Sequence, residues 1–567
     1  MNLLPRHLAA ALAFAAIPTA QASTVRLEAP AAVRTLLAPY VTERDFSGER
    51  GQIARYLKKR LPELLATEGY FSPELALLKR DDALVLTVDP GPRTHVTEAK
   101  VVIKGKIEAD HRQALIAAWS LPVGQPFRQE DWSRAKQALL AQLLADGYPA
   151  AHLTDSQAEI DADSQSARLT VDYDTGPPYR FGALEIKGLK RYTPELVARY
   201  NDSVRPGEPY REDKLAQLQR TLQSTPFFSS VRIDIDRDVP PGPDGSVTAP
   251  VRLRVREAAP YRLGFGVGAS SDTGGRVEMN FRNADLFRRA WLLNGAVRVE
   301  EKKQSVFADV FLPPDQNRYR HSFGSLFENT DIAGLRTERF LFGARRNHSR
   351  GAVDMQLSLT WQTEKQIVGG IPSTTAQALV ANGMWTWHRV DNALDPRRGF
   401  VMQAQVGGGA KAALSDQNFL RLQGQAMLWY PLGTRNTLIL RGQAGQTLAP
   451  SRAGIPQDYL FRTGGTGSVR GYGYQQLGVH EGSAVVGGRD LLVASAELDH
   501  WLNQRWGIAA FVDAGNAADT PAALRPLAVG VGGGVRWRSP AGPIAVDLGY
   551  GERDHRARLH FFLAIPF

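Results

Sequence analysis

The second half of the chain is dominated by alternating apolar and polar residues. The alternation begins at about Tyr261 and continues to the end in short segments that are rich in glycine. A period of two residues is typical of β-strands whose two faces meet different environments. The clearest segment is the last, whose apolar face comprises Leu559, Phe561, Leu563, Ile565 and Phe567. The pattern therefore predicts an all-β region from residue 259 to 567.

The same pattern predicts that these strands lie in lipid. A transmembrane β-barrel needs apolar side chains outside and polar ones inside, because lipid cannot satisfy polar groups. We expect tight turns at 313–317, 347–351, 431–433 and 539–543 to alternate with longer loops such as 364–378 and 516–526. This count gives about sixteen antiparallel strands. A soluble β-sandwich is the alternative that the strict alternation disfavours.

The first half contains a repeated pattern instead. Each repeat has an amphipathic helix, an aromatic turn and alternating strands, at intervals of roughly 80 residues, which suits small α+β domains better than a solenoid. The aromatic turns lie at 69–71, 147–149 and 226–228. We predict three domains, at residues 23–94, 95–179 and 180–258. Their strand edges would serve either to bind a strand of a partner chain or only as parts of rigid spacers.

The N-terminus has the features of a secretory signal peptide. Arg6 is followed by an apolar stretch from Leu8 to Ile17 and by the sequence Ala20-Gln21-Ala22. The stretch is shorter than the about 20 residues that a membrane-spanning helix needs. We therefore predict a cleaved signal at residues 1–22 and export of the mature chain.

Composition excludes several classes of function. The 567 residues include no cysteine, and 68 Lys and Arg oppose 58 Asp and Glu without a basic run. Disulfides and thiolate metal sites are thus excluded, and nucleic-acid binding is disfavoured. No motif of a serine hydrolase or a zinc protease is present. We expect no enzymatic activity, no catalytic residue, no cofactor and no metal site.

One connection is too long for an ordinary barrel loop. It runs from about 447 to 488 and contains the glycine-rich stretch 464–474, which lacks the lysine of a phosphate-binding loop. Such a loop can fold back into the barrel lumen, where Arg470 would need an anionic partner. Glu497 and Asp513 lie on the inward faces of their strands by parity. From parity alone, three unrelated charges near water remain an equal alternative.

Two motifs in this region carry a family resemblance. They are Val469-Arg470-Gly471-Tyr472 and Phe511-Val512-Asp513-Ala514-Gly515. Together with the terminal aromatic strand, they resemble the superfamily of outer-membrane proteins that join POTRA (polypeptide-transport-associated) domains to a barrel. The resemblance implies that Arg470 is clamped by Glu497 and Asp513. It also implies a C-terminal assembly signal, formed by Phe561, Leu563, Ile565 and Phe567.

The number of front domains bears on the subfamily. Five are typical of the BamA-like assembly proteins and two of the two-partner secretion transporters, whereas three resemble the TamA-like proteins of translocation and assembly modules. That resemblance implies an insertion or translocation factor for unfolded outer-membrane proteins such as autotransporters. It also implies an inner-membrane-anchored, periplasm-spanning partner, which the front domains would bind. A two-partner-secretion-type polypeptide transporter or a passive outer-membrane channel remains the alternative.

The two strands that must close the barrel are both weak by composition. The first contains Gly264, Gly266 and Gly268, and glycine weakens strands and their register. The last contains Pro566, which cannot donate to the ladder. The resemblance favours a seam that opens sideways into lipid, while an ordinary closure remains the alternative. The register at the seam is not determined by the pattern.

Overall fold

The structure is a computed structural model, and it describes residues 25–42, 50–80, 83–539 and 542–566. The predicted signal peptide and Phe567 lie outside these ranges. Among the described residues, no helix is both long and apolar enough to span a bilayer. The contacts divide the chain into two units. One comprises the residues up to Glu185, Ser203–Gln217 and Ile233–Leu253, and the other comprises Ile186–Asp202, Leu218–Arg232 and Arg254–Phe567.

The front half consists of three repeats with the same order of elements. The first has β1 (Val25–Glu28), α1 (Ala31–Val41), α2 (Arg50–Thr67), β2 (Glu74–Arg80) and β3 (Ala83–Asp89). The second has β4 (His95–Lys104), α3 (Ala109–Ala117), α4 (Gln129–Ala145), β5 (His152–Asp161) and β6 (Ser166–Asp174). The third has β7 (Tyr179–Lys187), α5 (Pro194–Tyr200), α6 (Glu212–Gln223), β8 (Phe228–Ile235) and β9 (Val247–Glu257).

Each repeat forms a three-stranded sheet in which its last strand lies in the middle. The orders are β1-β3-β2, β4-β6-β5 and β7-β9-β8. In the first two sheets the opening strand pairs parallel to the central one. The longer helices bury one stripe against the sheet, as in α2, where Ile53, Leu57, Leu61 and Leu65 are buried. The three predicted α+β repeats are confirmed as elements of the fold.

The first repeat also contains an opening strand that the sequence pattern did not reveal. Strand β1 has four residues, too few for a visible alternation, and helix α1 contains Pro39, which obscures its helical pattern. Both elements nevertheless contribute to the core, through Val25, Val33 and Leu37.

The second half is a closed, antiparallel barrel of sixteen strands, as predicted. The first eight strands are β10 (Tyr261–Ser270), β11 (Gly274–Leu286), β12 (Trp291–Glu300), β13 (Lys303–Phe311), β14 (Arg320–Ile332), β15 (Leu335–Arg350), β16 (Val353–Val368) and β17 (Thr374–Val390). The others are β18 (Gly399–Gly409), β19 (Phe419–Leu432), β20 (Asn436–Leu448), β23 (Asp490–Trp501), β24 (Trp506–Ala518), β25 (Ala528–Ser539), β26 (Gly542–Gly551) and β27 (Arg556–Pro566). A small hairpin of β21 (Val479–Glu481) and β22 (Ala484–Val486) lies in the long loop.

Several predicted connections were placed wrongly. The expected long loop at 364–378 is a hairpin in which only 369–373 lie outside the strands, because β16 continues to Val368 and β17 begins at Thr374. The expected turn at 347–351 begins later, since β15 continues to Arg350. Polar residues suggested loops at both places. In a barrel, however, polar residues also continue the strands, since lumen and rim positions are polar.

Candidate functional site

The long connection between β20 and β23 folds into the barrel and contacts strands far from its own ends. Its short 3₁₀ turn, Gln457–Tyr459, meets β15 through an ion pair between Asp458 and Arg339. The backbone N–H of Gln457 donates to Glu364 Oε1 of β16 at 2.9 Å. Further along, Arg462 Nη1 donates to the carbonyl of Ile332 on β14 at 3.4 Å. The loop is thus fixed to strands β14, β15 and β16, which lie several strands away from β20 and β23, where the loop begins and ends.

Arg470 lies at the centre of a buried ion cluster. Its Nε and Nη2 donate to the two oxygens of Asp513 at 2.8 and 3.0 Å, and its backbone N–H donates to the same carboxylate at 3.0 Å. Nη1 donates to Glu497 at 2.7 Å and to Asp547 at 2.9 Å. The guanidinium carbon lies 3.4 Å from the ring centre of Phe511. Arg470 is 2% exposed and Asp513 0%, so the pair is shielded from water.

The cluster contains residues that the sequence analysis did not assign to it. Arg536 pairs with both Glu497 and Asp547, and Arg441 pairs with Glu497. Asp499 lies 3.5 Å from Arg536 Nε. With Arg470 and Asp513, three arginines therefore meet four carboxylates. Asp547 alternates with the apolar positions of β26 and so lay on a predicted inward face, which is a signal that could have identified it.

The carboxylates of this cluster are occupied by guanidinium groups. Throughout the ranges that the structure describes, no group of three or more His, Asp or Glu is arranged to hold a metal ion. The arrangement is suited to holding a loop in place. A planar guanidinium matches a carboxylate with two parallel hydrogen bonds, which fixes orientation as well as position.

The glycine of the loop motif allows the loop to approach the wall closely. Gly471 has φ +92°, and a Cβ there would lie 2.6 Å from the nitrogen of Gly551 and 2.7 Å from the carbonyl carbon of Tyr550. The positions of the barrel wall that face the loop motif are also glycines. A Cβ at Gly530 would lie 1.8 Å from the carbonyl oxygen of Arg470, and one at Gly549 2.6 Å from the nitrogen of Gly471. Gly471 belongs to the predicted motif, whereas Gly530 and Gly549 were not predicted as site residues.

The other motif residues pack beside the clamp. Val469 and Tyr472 are fully buried in one apolar cluster with Val493. The hydroxyl of Tyr472 donates to the carbonyl of Val529 at 2.9 Å and accepts the backbone N–H of Arg553 at 3.0 Å. At Gly515 a Cβ would lie 2.9 Å from Val469 Cγ2. The two sequence motifs therefore meet directly, loop against strand.

The barrel closes through a short seam. Within the described residues, strand β10 pairs with β11 along ten positions but with β27 along five, from Gly266 opposite Pro566 to Ser270 opposite Phe562. Gly268 lies opposite Ala564, whereas Gly264 has no registered partner on β27 within the described residues. Phe561 lies in β27, while Phe567 and the side chains of Leu563 and Ile565 lie outside the described residues. An interface of five residue pairs provides fewer hydrogen bonds than the other strand interfaces of the described barrel, which are all longer.

The loop also contacts both sides of this seam. Thr466 Oγ1 donates to Asp272, directly after β10, at 3.0 Å. Five residues later, the N–H of Gly471 donates to His560 Nε2 on β27 at 2.8 Å, and its carbonyl accepts from Arg558. The segment from Thr466 to Gly471 therefore connects the clamp to the first hairpin and to the last strand.

A family model matches this barrel. The model, described as the Omp85 superfamily domain, covers residues 262–567. The chain belongs to the Omp85 superfamily. A second model, described as a POTRA surface antigen variable number repeat, covers residues 179–258 of this Omp85 protein. These matches agree with the resemblance on which the sequence analysis relied.

Solved structures agree with the fold. BamA from Haemophilus ducreyi lacking POTRA domains 1–3 has 14% identity and a TM-score of 0.68, over 83% of this chain and 99% of that chain. CdiB from Acinetobacter baumannii has 14% identity over 91% of this chain and 98% of that chain, with a TM-score of 0.46. The fold assignment rests on the first of the two.

Membership in the Omp85 superfamily indicates the location of the protein. It points to the bacterial outer membrane, with the POTRA domains on the periplasmic side, and supports a general role in outer-membrane protein insertion or translocation. Since β10 follows the third repeat directly, β10 begins at the periplasmic side. The turn between β11 and β12 and that between β13 and β14 are then periplasmic turns, and the long loop enters from the external side.

Proposed function

We propose that this Omp85 protein is an insertion and translocation factor for outer-membrane proteins of the autotransporter type, as part of a translocation and assembly module. The observation that carries the proposal is the short seam between β10 and β27, with five registered pairs among the described residues, beside a loop that contacts the first hairpin and the last strand. A seam with few pairs costs less to open than the other strand interfaces of the barrel. Opening it exposes two strand edges, and an exposed edge binds another strand.

The mechanism requires no covalent chemistry. A substrate strand would pair with the edge of β10 at residues 261–265, which have no registered partner in the described part of β27. The Arg470 cluster would keep the loop in the lumen while the seam parts. Thr466 would release Asp272 at that moment, whereas Gly471 would keep His560, which lies on the same side of the seam as the cluster. Opening of the seam and release of the loop from the first hairpin are therefore coupled.

The subfamily assignment rests on the number of front repeats. Three sheets of identical strand order precede the barrel in the described part of the chain. Three such domains resemble the TamA-like proteins, whereas two-partner secretion transporters have two. We propose that these repeats bind an inner-membrane-anchored, periplasm-spanning partner, and that the clamp motif and the C-terminal strand serve loop fixation and assembly.

A passive channel is the less favoured alternative. The loop contacts β14, β15 and β16 on one side and β24, β26 and β27 on the other. Such a distribution of contacts obstructs the lumen. A channel would have to conduct with the clamp intact, so measurement of single-protein conductance in planar bilayers distinguishes the two functions.

Locking the seam tests the proposal. The chain has no cysteine, so engineered pairs are the only thiols. Val267 and Ile565 are registered partners on antiparallel strands, where opposite Cα atoms lie about 4.5–5.5 Å apart, within the range of a disulfide. We expect the oxidised Val267→Cys/Ile565→Cys protein, in liposomes, to lose its acceleration of the folding of a denatured outer-membrane protein. Reductant should restore it.

A second pair provides the matched control. Leu359 and Ala381 are registered partners on β16 and β17, far from the seam in strand order. Oxidation of Leu359→Cys/Ala381→Cys should leave the activity unchanged. If the seam pair is fully crosslinked and activity persists, lateral opening is excluded and the front repeats or the lumen must carry the function.

A further inference from the structure

A cleft of about 410 Å³ lies at the periplasmic end of the first barrel hairpins. We refer to it as the periplasmic cleft. One wall is formed by residues 191–199, before and within α5. The other is formed by residues 288–291, after β11, and by residues 312–321, between β13 and β14. Every lining residue belongs to the same unit as the barrel.

The charge of the periplasmic cleft is positive and incompletely compensated. Its lining includes four arginines. Arg191 pairs with Asp285 at 3.8 Å. Arg199, Arg288 and Arg289, in contrast, have no carboxylate partner among the residues that the structure describes. Arg289 also lies over the ring of Trp291, with its guanidinium carbon 5.7 Å from the ring centre. Three arginines that line one cleft without a described counter-ion form a site for an anion with several acceptor oxygens, such as a phosphate.

The lining carboxylates do not neutralise these arginines. Asp315 lies 3.0 Å from His321 Nε2 and accepts the backbone N–H groups of Asn317 and Tyr319. Glu195 lies at the first turn of α5, and its pKa is lowered by the side-chain hydrogen bond from Thr193 and by its own backbone N–H. Both carboxylates are thus engaged with local donors.

The lining of the periplasmic cleft includes an aromatic ring that faces outward from the barrel. Trp291 has the same parity on β12 as the exposed Val297 and Val299, so it faces outward. Its ring contacts Phe287 and Phe323 edge to face, with centroids 6.3 and 6.1 Å apart. Phe287 is 73% exposed. Exposed aromatic rings at a barrel end mark the depth of the lipid headgroups.

The turn that supplies two of the arginines has an unusual backbone. The φ angles of Phe287, Arg288 and Ala290 are +57°, +58° and +55°, in a region that residues other than glycine rarely adopt. The turn is held by the carboxylate of Asp285, which accepts the N–H of Ala290 at 3.0 Å. Residues in this region of backbone conformation cluster at ligand-binding and other functional sites. Here the turn presents an aromatic ring and two guanidinium groups side by side.

We propose that the periplasmic cleft binds the phosphate of an anionic phospholipid in the periplasmic leaflet. Arg199, Arg288 and Arg289 bind the headgroup, and the acyl chains lie along Trp291 and Phe323. Basic pockets at a membrane surface select anionic headgroups by this combination of charge and apolar contact. The site adjoins the first hairpins of the barrel, so the bound lipid anchors this side of the rim in the leaflet. The proposal depends on the membrane location and not on the insertion function.

Native mass spectrometry of the full chain in an uncharged detergent tests this site with phosphatidylglycerol as the probe. We expect one retained phosphatidylglycerol and weaker retention of phosphatidylcholine. Arg288→Gln/Arg289→Gln should bind phosphatidylglycerol about thirty-fold more weakly. The matched control is Arg435→Gln/Arg505→Gln, which removes two arginines from other periplasmic turns and should leave binding unchanged. Equal losses in both double variants would overturn the site in favour of general attraction to the rim.

Two further measurements keep the proposal falsifiable. If Arg288→Gln/Arg289→Gln does not show the heat-modifiable gel mobility of a folded barrel, Arg199→Gln replaces it, because Arg199 lies outside the barrel strands. An unchanged affinity of Arg199→Gln for phosphatidylglycerol would overturn the site. Inorganic phosphate alone tests the other source of the anion. Displacement of the lipid by an equal concentration of phosphate would show a site for a free anion and would overturn the lipid assignment. Trp291→Leu should weaken phosphatidylglycerol binding, since the acyl contact is lost, and an unchanged affinity would contradict that contact.

Discussion

Replacing Arg470 with alanine tests whether the ion cluster holds the loop inside the barrel. The substitution removes the bidentate pair with Asp513 and the single bonds to Glu497 and Asp547. Two arginines, Arg441 and Arg536, then face four carboxylates. Asp513 keeps the hydroxyl of Ser495 at 2.6 Å and the backbone N–H of residue 470, but it loses its cation at a site without exposure to water. The loss is therefore an uncompensated buried charge rather than a surface pair.

The magnitude follows from this burial. Breaking a buried pair by removing one partner costs about 3–5 kcal/mol, whereas an exposed pair contributes about 1 kcal/mol or less. We expect this cost in the free energy of loop opening rather than in barrel unfolding, because Arg470 lies in the loop and its partners lie in the wall. The opened population should rise roughly 10²- to 10⁴-fold.

Amide hydrogen exchange of peptides from residues 449–489 measures that population. In Arg470→Ala these peptides should exchange faster by the same factor, while peptides from β16 and β17 stay protected. Arg470→Lys should recover only part of the protection, because lysine lacks the fork that matches a carboxylate. Lys411→Ala, which removes a charge from another external loop, serves as the control and should change nothing in these peptides.

A double substitution provides the stricter test. Arg470→Ala/Asp513→Ala removes the cation together with the carboxylate that it would leave uncompensated. Its loop should therefore open less readily than the sum of the two single changes predicts, by a coupling of about 1–3 kcal/mol. Additive effects, or unchanged exchange in Arg470→Ala, would refute the clamp as the element that fixes the loop.

Two further predictions concern local geometry and pH. Gly471→Ala should displace the loop and accelerate its exchange, at a cost of about 1–3 kcal/mol, because its Cβ would lie 2.6 Å from a backbone nitrogen of β26; Gly467→Ala, with nothing within 4 Å, is the control that should exchange normally. The pKa of Glu257 is lowered from 4.5: burial raises it, but the backbone N–H groups of Lys190, Arg191 and Tyr192 outweigh burial. Its stabilisation is present above the unfolded pKa and lost as pH falls through the lower folded pKa. Exchange at these amides, relative to intrinsic rates, should rise with acidification in the wild type and change less in Glu257→Gln; equal responses would contradict the role of the carboxylate.

The fold class was determined by local patterns in the sequence. Alternation with a period of two marks a strand whose two faces meet different environments, and it can be recognised without knowing any strand's neighbours. The front repeats were recognised similarly, from helices such as α2 whose apolar stripe recurs in each domain. Local patterns failed where elements are short, as in β1, or where polar residues continue a strand, as near Lys365.

Identification of the candidate site depended on both the sequence and the tertiary structure. Parity placed Glu497 and Asp513 on inward faces, and the family resemblance suggested that Arg470 meets them. The remaining members of the cluster required the structure; they are Arg441, Asp499, Arg536 and Asp547. Inward charges are common in a barrel lumen, so their parity does not reveal which of them lie near the loop.

The seam and the loop contacts were decided by the tertiary structure alone. The sequence located the glycines of β10 and Pro566, but the register that sets Gly266 opposite Pro566 depends on how sixteen strands close upon each other. The contacts from Thr466 to Asp272 and from Gly471 to His560 join residues 194 and 89 positions apart. Periodicity reports the environment of each residue along its own strand, whereas closure and loop docking depend on contacts between distant segments, which only the folded barrel brings together.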